Sequence, residues 1–88
     1  MPIDEVRVRV KRTIAKVSGL RAEQIDDHAT FDNLEIDSLA RIEVLVELER
    51  EFKLNLPNDE EDENLVNEIQ SIDHAVELVL KNLATTAA

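Results

Sequence analysis

Residues 38–52 read SLARIEVLVELEREF, a stretch that contains no Gly or Pro and is rich in Leu and Glu. This composition favours a helix over a strand, despite its β-branched residues. At about 100° per residue, the apolar side chains of such a helix fall on two separate stripes. The broader stripe suits a protein core and consists of Val44, Leu45, Leu48 and Phe52. The second stripe consists of Leu39, Ile42 and Val46.

The second stripe begins beside Ser38 and is flanked by Glu43 and Glu47. One interpretation is an apolar docking strip with an acidic edge that leads away from the serine. The other is that a central helix is buried around most of its circumference. The pattern alone leaves both interpretations open.

The start of this helix places a hydroxyl next to an acid. Either Asp37 or Ser38 can accept a hydrogen bond from the first-turn N–H groups, so either fits the N-cap, and Ser38 lies at the positive end of the helix dipole. A phosphodiester on a serine there would meet free N–H groups, which makes an attachment site conceivable, although these grounds alone favour ordinary capping. A catalytic serine would need a base and oxyanion donors. The chain has no G-x-S-x-G elbow and no histidine that can be tied to Ser38, so we expect no catalytic residue.

Length and charge restrict the function further. Eighty-eight residues make one domain, residues 1–88, with a formal net charge of -10. Residues 1–18 hold five basic and two acidic residues, whereas residues 19–88 hold five basic and 18 acidic residues. This charge disfavours nucleic acid, attracts basic partners and repels a second copy, so we expect a monomer. There is no cysteine, no apolar run of membrane-spanning length and no basic-then-apolar start, so a cytoplasmic protein is expected.

Two further helices are predicted on either side of the central one. The first has Asp4 as a candidate cap, Gly19 as its stop and an apolar stripe of Ile3, Val6, Val10, Ile14 and Val17. The last begins at Ser71, and residues 84–88 are expected to fray. Its inward stripe is Ile72, Val76, Val79 and Leu83, with Ala75 and Leu80 at the margins.

The segments between these helices complete the fold prediction. Residues 20–37 form a long ordered loop, held to the core by Leu20, Ile25, Phe31, Leu34 and Ile36. A short acidic helix is expected to start at Asn58-Asp59. The fold class is therefore all-α: a small up-and-down four-helix bundle of three principal helices and a short one, with one long crossover. Asp26, Asp27, His28 and Asp32 match no metal-ligand spacing, so no metal site is expected.

Several motifs resemble one known family. These are Ala29-Thr30-Phe31, then Leu34-Glu35-Ile36-Asp37-Ser38-Leu39, then residues 43–52 of the central helix, and finally Leu56-Pro57. Together they resemble the acyl carrier proteins over about residues 3–83. The resemblance implies that Ser38 carries 4′-phosphopantetheine, derived from coenzyme A, through a phosphodiester. The thiol at the end of this arm would hold acyl groups as thioesters.

The resemblance also implies partners. Asp37 would help a phosphopantetheinyl transferase to recognise the site. Leu39, Ile42 and Val46 match apolar docking positions of the family, and Glu43 and Glu49 match acids that meet basic surfaces on acyl synthases, acyltransferases or ligases; Glu47 is expected to join them. The chemistry would belong to these enzymes, and this chain would present their substrate.

The chain departs from the family pattern in three places. Glu35 stands where Gly is usual, so the turn before Ser38 must be made without a residue that tolerates positive φ cheaply. Ala40 and Arg50 stand where acids are common, and the stretch after Pro57 is longer than usual. These departures leave fatty acid synthesis and a specialised pathway, such as polyketide or modified-lipid synthesis, both open. A different class also remains, an unmodified acidic adaptor in which Ser38 only caps its helix.

Overall fold

The computed structural model describes residues 2–54 and 69–86. Within these ranges the chain forms three α-helices, α1 (Ile3–Ser18), α2 (Ser38–Phe52) and α3 (Ile72–Thr86), and one 3-10 turn (Ala22–Gln24). No strand occurs in the described ranges, so the all-α prediction and the long connection between α1 and α2 are confirmed. The short helix predicted from Asn58-Asp59 lies outside the described residues.

Helix α1 begins earlier than the sequence predicts. Its N-cap is Pro2, whose carbonyl accepts the N–H of Val6 at 3.1 Å, so Asp4 lies inside the first turn and the prediction of an Asp4 cap is wrong. The sequence also predicts that Ile3 faces the core, but its side chain is exposed in the structure. The predicted stop is confirmed, since Gly19 adopts φ 77° and its N–H bonds to the Ala15 carbonyl.

The three helices bury the apolar stripes that their periodicity predicts. Side chains from all three with almost no exposed surface are Val6, Val10, Ile14, Val44, Leu45, Leu48, Ile72, Val76 and Val79. Each such side chain contributes about 1.5–3 kcal/mol of transfer free energy. Ala75 is also fully buried, although the sequence places it at the margin, and α3 extends to Thr86, into the segment expected to fray. Helix α1 contacts both α2 and α3, so it is central to the described part of the bundle.

The long connection is tied to the start of α3. Phe31 donates its N–H to the Gln70 carbonyl at 2.8 Å, and Ile72 donates to Ala29 at 3.0 Å, which makes an isolated antiparallel bridge between Thr30 and Ser71. The predicted apolar anchors of the connection are confirmed: Ile25, Phe31 and Ile36 are buried, and Leu20 and Leu34 are half-buried. The connection that leads to Ser38 is therefore held to the bundle by the backbone bridge at the start of α3 and by its buried apolar side chains.

A cluster of ion pairs joins α1, the long connection and α3. Arg7 on α1 contacts the carboxylate of Asp73 on α3 and the Asp27 carbonyl, both at 2.8 Å, and Lys11 contacts the Asp27 carboxylate at 2.7 Å. His28 Nδ1 lies 2.8 Å from the second Asp73 oxygen. The Asp73 carboxylate raises the pKa of His28, while His28 and then Arg7 lower the pKa of Asp73. Lys11 lowers the pKa of Asp27.

Candidate functional site

Ser38 is the first residue of α2, and Asp37 caps the helix. The Asp37 backbone is extended, and its Oδ1 accepts the N–H of Ala40 at 2.8 Å. The sequence left the cap open between Asp37 and Ser38, and the structure assigns it to Asp37. The first backbone hydrogen bond of the helix runs from the Arg41 N–H to the Asp37 carbonyl at 2.9 Å. The N–H groups of Ser38 and Leu39 therefore come before the helical hydrogen bonds begin.

The chain contains three serines, and their environments differ. The Ser18 hydroxyl donates to the Ile14 carbonyl at 2.8 Å, and the Ser71 hydroxyl accepts the His74 N–H at 3.2 Å, which caps α3. Both of these residues are half-buried, whereas Ser38 is exposed. Within residues 2–54 and 69–86, the Ser38 hydroxyl has no hydrogen-bond partner. A group attached to its oxygen therefore displaces no described interaction.

The turn that leads to Ser38 is made by a residue with positive φ. Glu35 adopts φ 57°, the left-handed conformation that glycine tolerates best, so the expectation drawn from the absence of Gly here is confirmed. The turn is closed by the Ile36 N–H, which donates to the Phe31 carbonyl at 2.9 Å, and by the Glu35 N–H, which donates to Asp32 at 3.1 Å. The buried side chain of Ile36 then fixes the direction in which the chain enters α2.

Sequence reasoning missed Arg41, which holds this turn from the helix side. Its guanidinium lies 3.1 Å from the Asp32 carboxylate and 3.3 Å from the Ile36 carbonyl, and it sits over the Phe31 ring at 5.6 Å from the centroid. The signal was present as a basic residue three positions after Ser38, on a helix start where the dipole disfavours cations. Only the tertiary structure shows that Arg41 turns back onto the preceding loop.

The second apolar stripe of α2 faces outward. The exposed fractions of its members are 68% for Leu39, 41% for Ile42 and 36% for Val46. The four residues of the broad stripe are the buried ones of this helix, so the two-stripe prediction is confirmed and α2 is not buried around most of its circumference. An exposed apolar strip that starts beside Ser38 is a feature typical of a contact surface for another protein.

The acids predicted to border this strip differ in their exposure and in their contacts. Glu43 is exposed. Glu47 is half-buried, and its two carboxylate oxygens lie 3.3 Å from Lys16 Nζ and from Arg50 Nη1, so it is not the free acidic edge that the sequence predicts. Glu49 is half-buried, and its carbonyl accepts the N–H groups of Lys53 and Leu54 at the helix end.

Neither histidine forms a hydrogen bond with Ser38 in the described structure. His28 faces Asp73, and His74 Nδ1 accepts the N–H of Gln70 at 3.2 Å. Among the residues described, no group of three or more acidic or histidine side chains is arranged to hold a metal ion. A span of membrane-crossing length and apolarity is likewise not found among the described helices.

Comparisons with known proteins identify the family of this chain. The family described as "Phosphopantetheine attachment site" matches residues 8–67, which include Asp37, Ser38 and all of α2. The fold resembles the solution structure of the apo doublet acyl carrier protein from prodigiosin biosynthesis, with a TM-score of 0.72 and 26% identity. That match covers 89% of this chain and 36% of the doublet, so this chain spans about a third of its length.

A second structure shows the same fold in a shorter protein. It is the crystal structure of an acyl carrier protein from Thermotoga maritima, matched with a TM-score of 0.63 and 24% identity over 89% of this chain and 94% of the other. The chain therefore belongs to the phosphopantetheine-attachment family, the acyl carrier proteins, whose cofactor is 4′-phosphopantetheine.

Proposed function

We propose that this chain carries acyl groups as thioesters on a 4′-phosphopantetheine arm attached to Ser38, and that it presents them to partner enzymes. The observation that carries the proposal is the exposed Ser38 hydroxyl at the N-terminus of α2, the one serine hydroxyl with no partner in the described structure. The chain itself would be a carrier and not an enzyme, since neither histidine offers Ser38 a base.

The residues at this helix start fit the phosphodiester of the arm. Its negative charge would lie next to the N–H groups of Ser38 and Leu39, where the helix dipole favours an anion. The Asp37 carboxylate would repel the phosphate, but its Oδ1 is already directed at the Ala40 N–H. In the attachment step the serine oxygen bonds to the phosphorus next to the pantetheine of coenzyme A. The bond between that phosphorus and the oxygen bridging the two phosphates would break, this oxygen would leave as part of adenosine 3′,5′-bisphosphate, and the hydroxyl proton would pass to a base of the transferase.

The experiment is an intact-mass measurement before and after incubation with coenzyme A and a broad-specificity phosphopantetheinyl transferase. We expect an increase equal to one phosphopantetheine group, which peptide mapping places on Ser38. The Ser38→Ala variant should gain no mass, whereas Ser18→Ala and Ser71→Ala should be modified as the wild type. Modification at another residue, or none on a folded wild-type chain, would overturn the attachment site.

For the partners, the proposal assigns the strip of Leu39, Ile42 and Val46 to docking, with Glu43 and Glu49 meeting basic residues of the enzyme. Leu39→Ala should lower kcat/KM for the transferase about tenfold, because a side chain exposed in the free protein becomes buried in the complex. The matched control is Val8→Ala, which removes another exposed apolar side chain from the surface of α1. An equal loss in both variants would remove the strip from the docking surface.

For the pathway, we favour specialised over housekeeping synthesis. The support is the likeness to an acyl carrier protein from prodigiosin biosynthesis, together with Ala40 and Arg50 at positions where the family commonly has acids. A fatty acid synthase reconstituted from purified enzymes should then elongate acyl groups on this carrier slowly. Elongation at the rate of that system's own carrier would assign the chain to fatty acid synthesis.

The second candidate is an unmodified acidic adaptor that binds basic partners through α2. The exposed strip and the net charge of -10 favour it as much as they favour a carrier. The two functions differ at Ser38 alone. In an adaptor, Ser38→Ala should leave partner binding unchanged, and the wild-type chain isolated from its source should carry no added mass.

A further inference from the structure

A groove of about 360 Å³ lies between the C-terminal part of α1 and the outward face of α2. Its floor is apolar and consists of Val17, Ile42 and Val46. Its rim is charged and consists of Lys16, Glu43, Glu47 and Arg50. The groove therefore continues the exposed strip that begins at Ser38, and it adds side chains from α1 that the sequence of α2 does not reveal.

The charge at one end of this groove is opposite to that of the whole chain. Lys16 and Arg50 both contact Glu47, yet their side chains are each 75% exposed while that of Glu47 is 23% exposed. The carboxylate lies beneath the two cations, so a visiting group meets an ammonium and a guanidinium. Glu43, on the same rim, is exposed and unpaired within the described part of the chain.

We propose that this groove selects a partner enzyme whose contacting segment pairs an apolar side chain with a carboxylate. The apolar side chain would lie on Ile42 and Val46, the carboxylate would face Arg50 and Lys16, and a basic residue would face Glu43. The proposal deepens the carrier function above, because the groove extends the strip assigned to docking. The expected partner segment has mixed charge, whereas the net charge of -10 alone would indicate a purely basic partner.

Charge complementarity argues for this occupant against the others. A purely basic segment would place cations against Lys16 and Arg50, and juxtaposed like charges at an interface exclude partners effectively. A second copy would bring its own net charge of -10 towards the same surface. An uncharged fatty acyl chain could lie on the floor but would use neither cation of the rim.

The test is a titration of the ¹⁵N-labelled apo protein with two helical peptides, followed by NMR at the amides of Lys16, Val17, Ile42 and Val46. Both peptides carry two Leu residues four positions apart. One has Glu three residues beyond the second Leu, and the other has Lys there. We expect the Glu peptide to bind roughly threefold more tightly at moderate salt, as for an exposed ion pair. Because the protein is apo, the result does not depend on whether Ser38 is ever modified.

The control variants hold the net charge equal. Arg50→Glu should abolish or invert the preference for the Glu peptide, whereas Arg12→Glu, an equal charge change on the exposed surface of α1, should leave it intact. Equal binding of both peptides, tighter binding of the Lys peptide, or no shift at these amides would each overturn the proposal. Shifts produced by raising the protein concentration alone would assign the groove to a second copy, and stronger shifts with an uncharged aliphatic probe, 1-octanol, would assign it to an acyl chain.

Discussion

Arg41 and Asp32 form an ion pair of 3.1 Å that closes the turn before Ser38 from outside. The same guanidinium lies 3.3 Å from the Ile36 carbonyl, so it contacts residues on both sides of Glu35, which has positive φ. Since the Asp32 side chain is 91% exposed, the ion pair itself adds little stability. We expect its main effect to be on geometry: it holds the strained turn in place, and thereby the orientation of Ser38 at the start of α2.

Replacing Arg41 tests this positioning role. Arg41→Ala should reduce the free energy of unfolding by about 1 kcal/mol, through the hydrogen bond to Ile36 and the packing over Phe31. The rate of phosphopantetheine attachment should fall by a larger factor than this loss predicts, because the folded chain would sample more orientations of Ser38. Attachment kinetics below the melting transition measure the effect.

Arg41→Lys is the matched variant. It keeps the positive charge near Asp32 but loses the planar fork that reaches Ile36 and covers Phe31, so it should restore the rate only in part. A wild-type rate for Arg41→Ala at a temperature where the variant is folded would show that Arg41 is merely structural.

Replacing Glu35 with glycine should stabilise the protein. Glu35→Gly relieves a left-handed conformation that costs an L-residue about 1–2 kcal/mol, and part of this gain is offset by the added freedom of the unfolded chain. The expected net effect is a rise of about 1 kcal/mol in the free energy of unfolding, measured by urea denaturation. Glu35→Ala is the control, since it removes the carboxylate but keeps the strained φ. A gain in both variants would attribute the effect to charge and not to the backbone.

Asp37 caps α2, and the proposed function gives it a second role in recognition by the transferase. Asp37→Ala should destabilise the protein by about 1 kcal/mol through loss of the cap to Ala40. Asp37→Asn keeps an acceptor oxygen and should retain stability, but it should lower the attachment rate if the transferase recognises the carboxylate. Thermal unfolding and attachment kinetics on both variants separate the roles. Equal rates for wild type and Asp37→Asn would restrict Asp37 to capping.

The contact between His28 and Asp73 predicts how stability depends on pH. The pKa of His28 is raised in the folded state, so its contribution is fully present below the unfolded pKa, about 6.5, and is lost as pH rises through the folded value. The pKa of Asp73 is lowered, so its contribution is present above the ordinary value of 3.8 and is lost in more acidic solution. Stability should therefore fall as the pH rises from about 6.5 through the folded pKa of His28.

Two variants test this contact, one on each side of it. The Tm of His28→Gln should depend less on pH across that interval than the Tm of the wild type. Asp73→Asn should likewise lessen the dependence, because it removes the carboxylate that lies 2.8 Å from His28 Nδ1. Parallel pH profiles for wild type and His28→Gln would contradict the assignment.

The local sequence determined most of the fold and placed Ser38 at the start of a helix. The periodicity of α2 separated its buried residues from Leu39, Ile42 and Val46 because a helix repeats its faces at a fixed angle. Gly19 marked the end of α1 because the left-handed cap conformation suits glycine. Asp37 and Ser38 were both recognised at the helix start because short polar side chains occur there, although the cap could not be assigned to one of them.

The tertiary structure decided the remaining features, which depend on contacts between different elements of the fold. Lys16 on α1 meets Glu47 on α2, Arg41 turns back onto the loop before Ser38, and His28 pairs with Asp73 across 45 residues. Helical periodicity fixes the face on which a charge lies, but it does not fix which face of another helix lies opposite. That choice follows from the packing of all the apolar stripes together. For this reason the sequence predicted an apolar strip with an acidic edge and Arg50 as a departure from it, and only the folded chain shows that Lys16 and Arg50 both lie against Glu47.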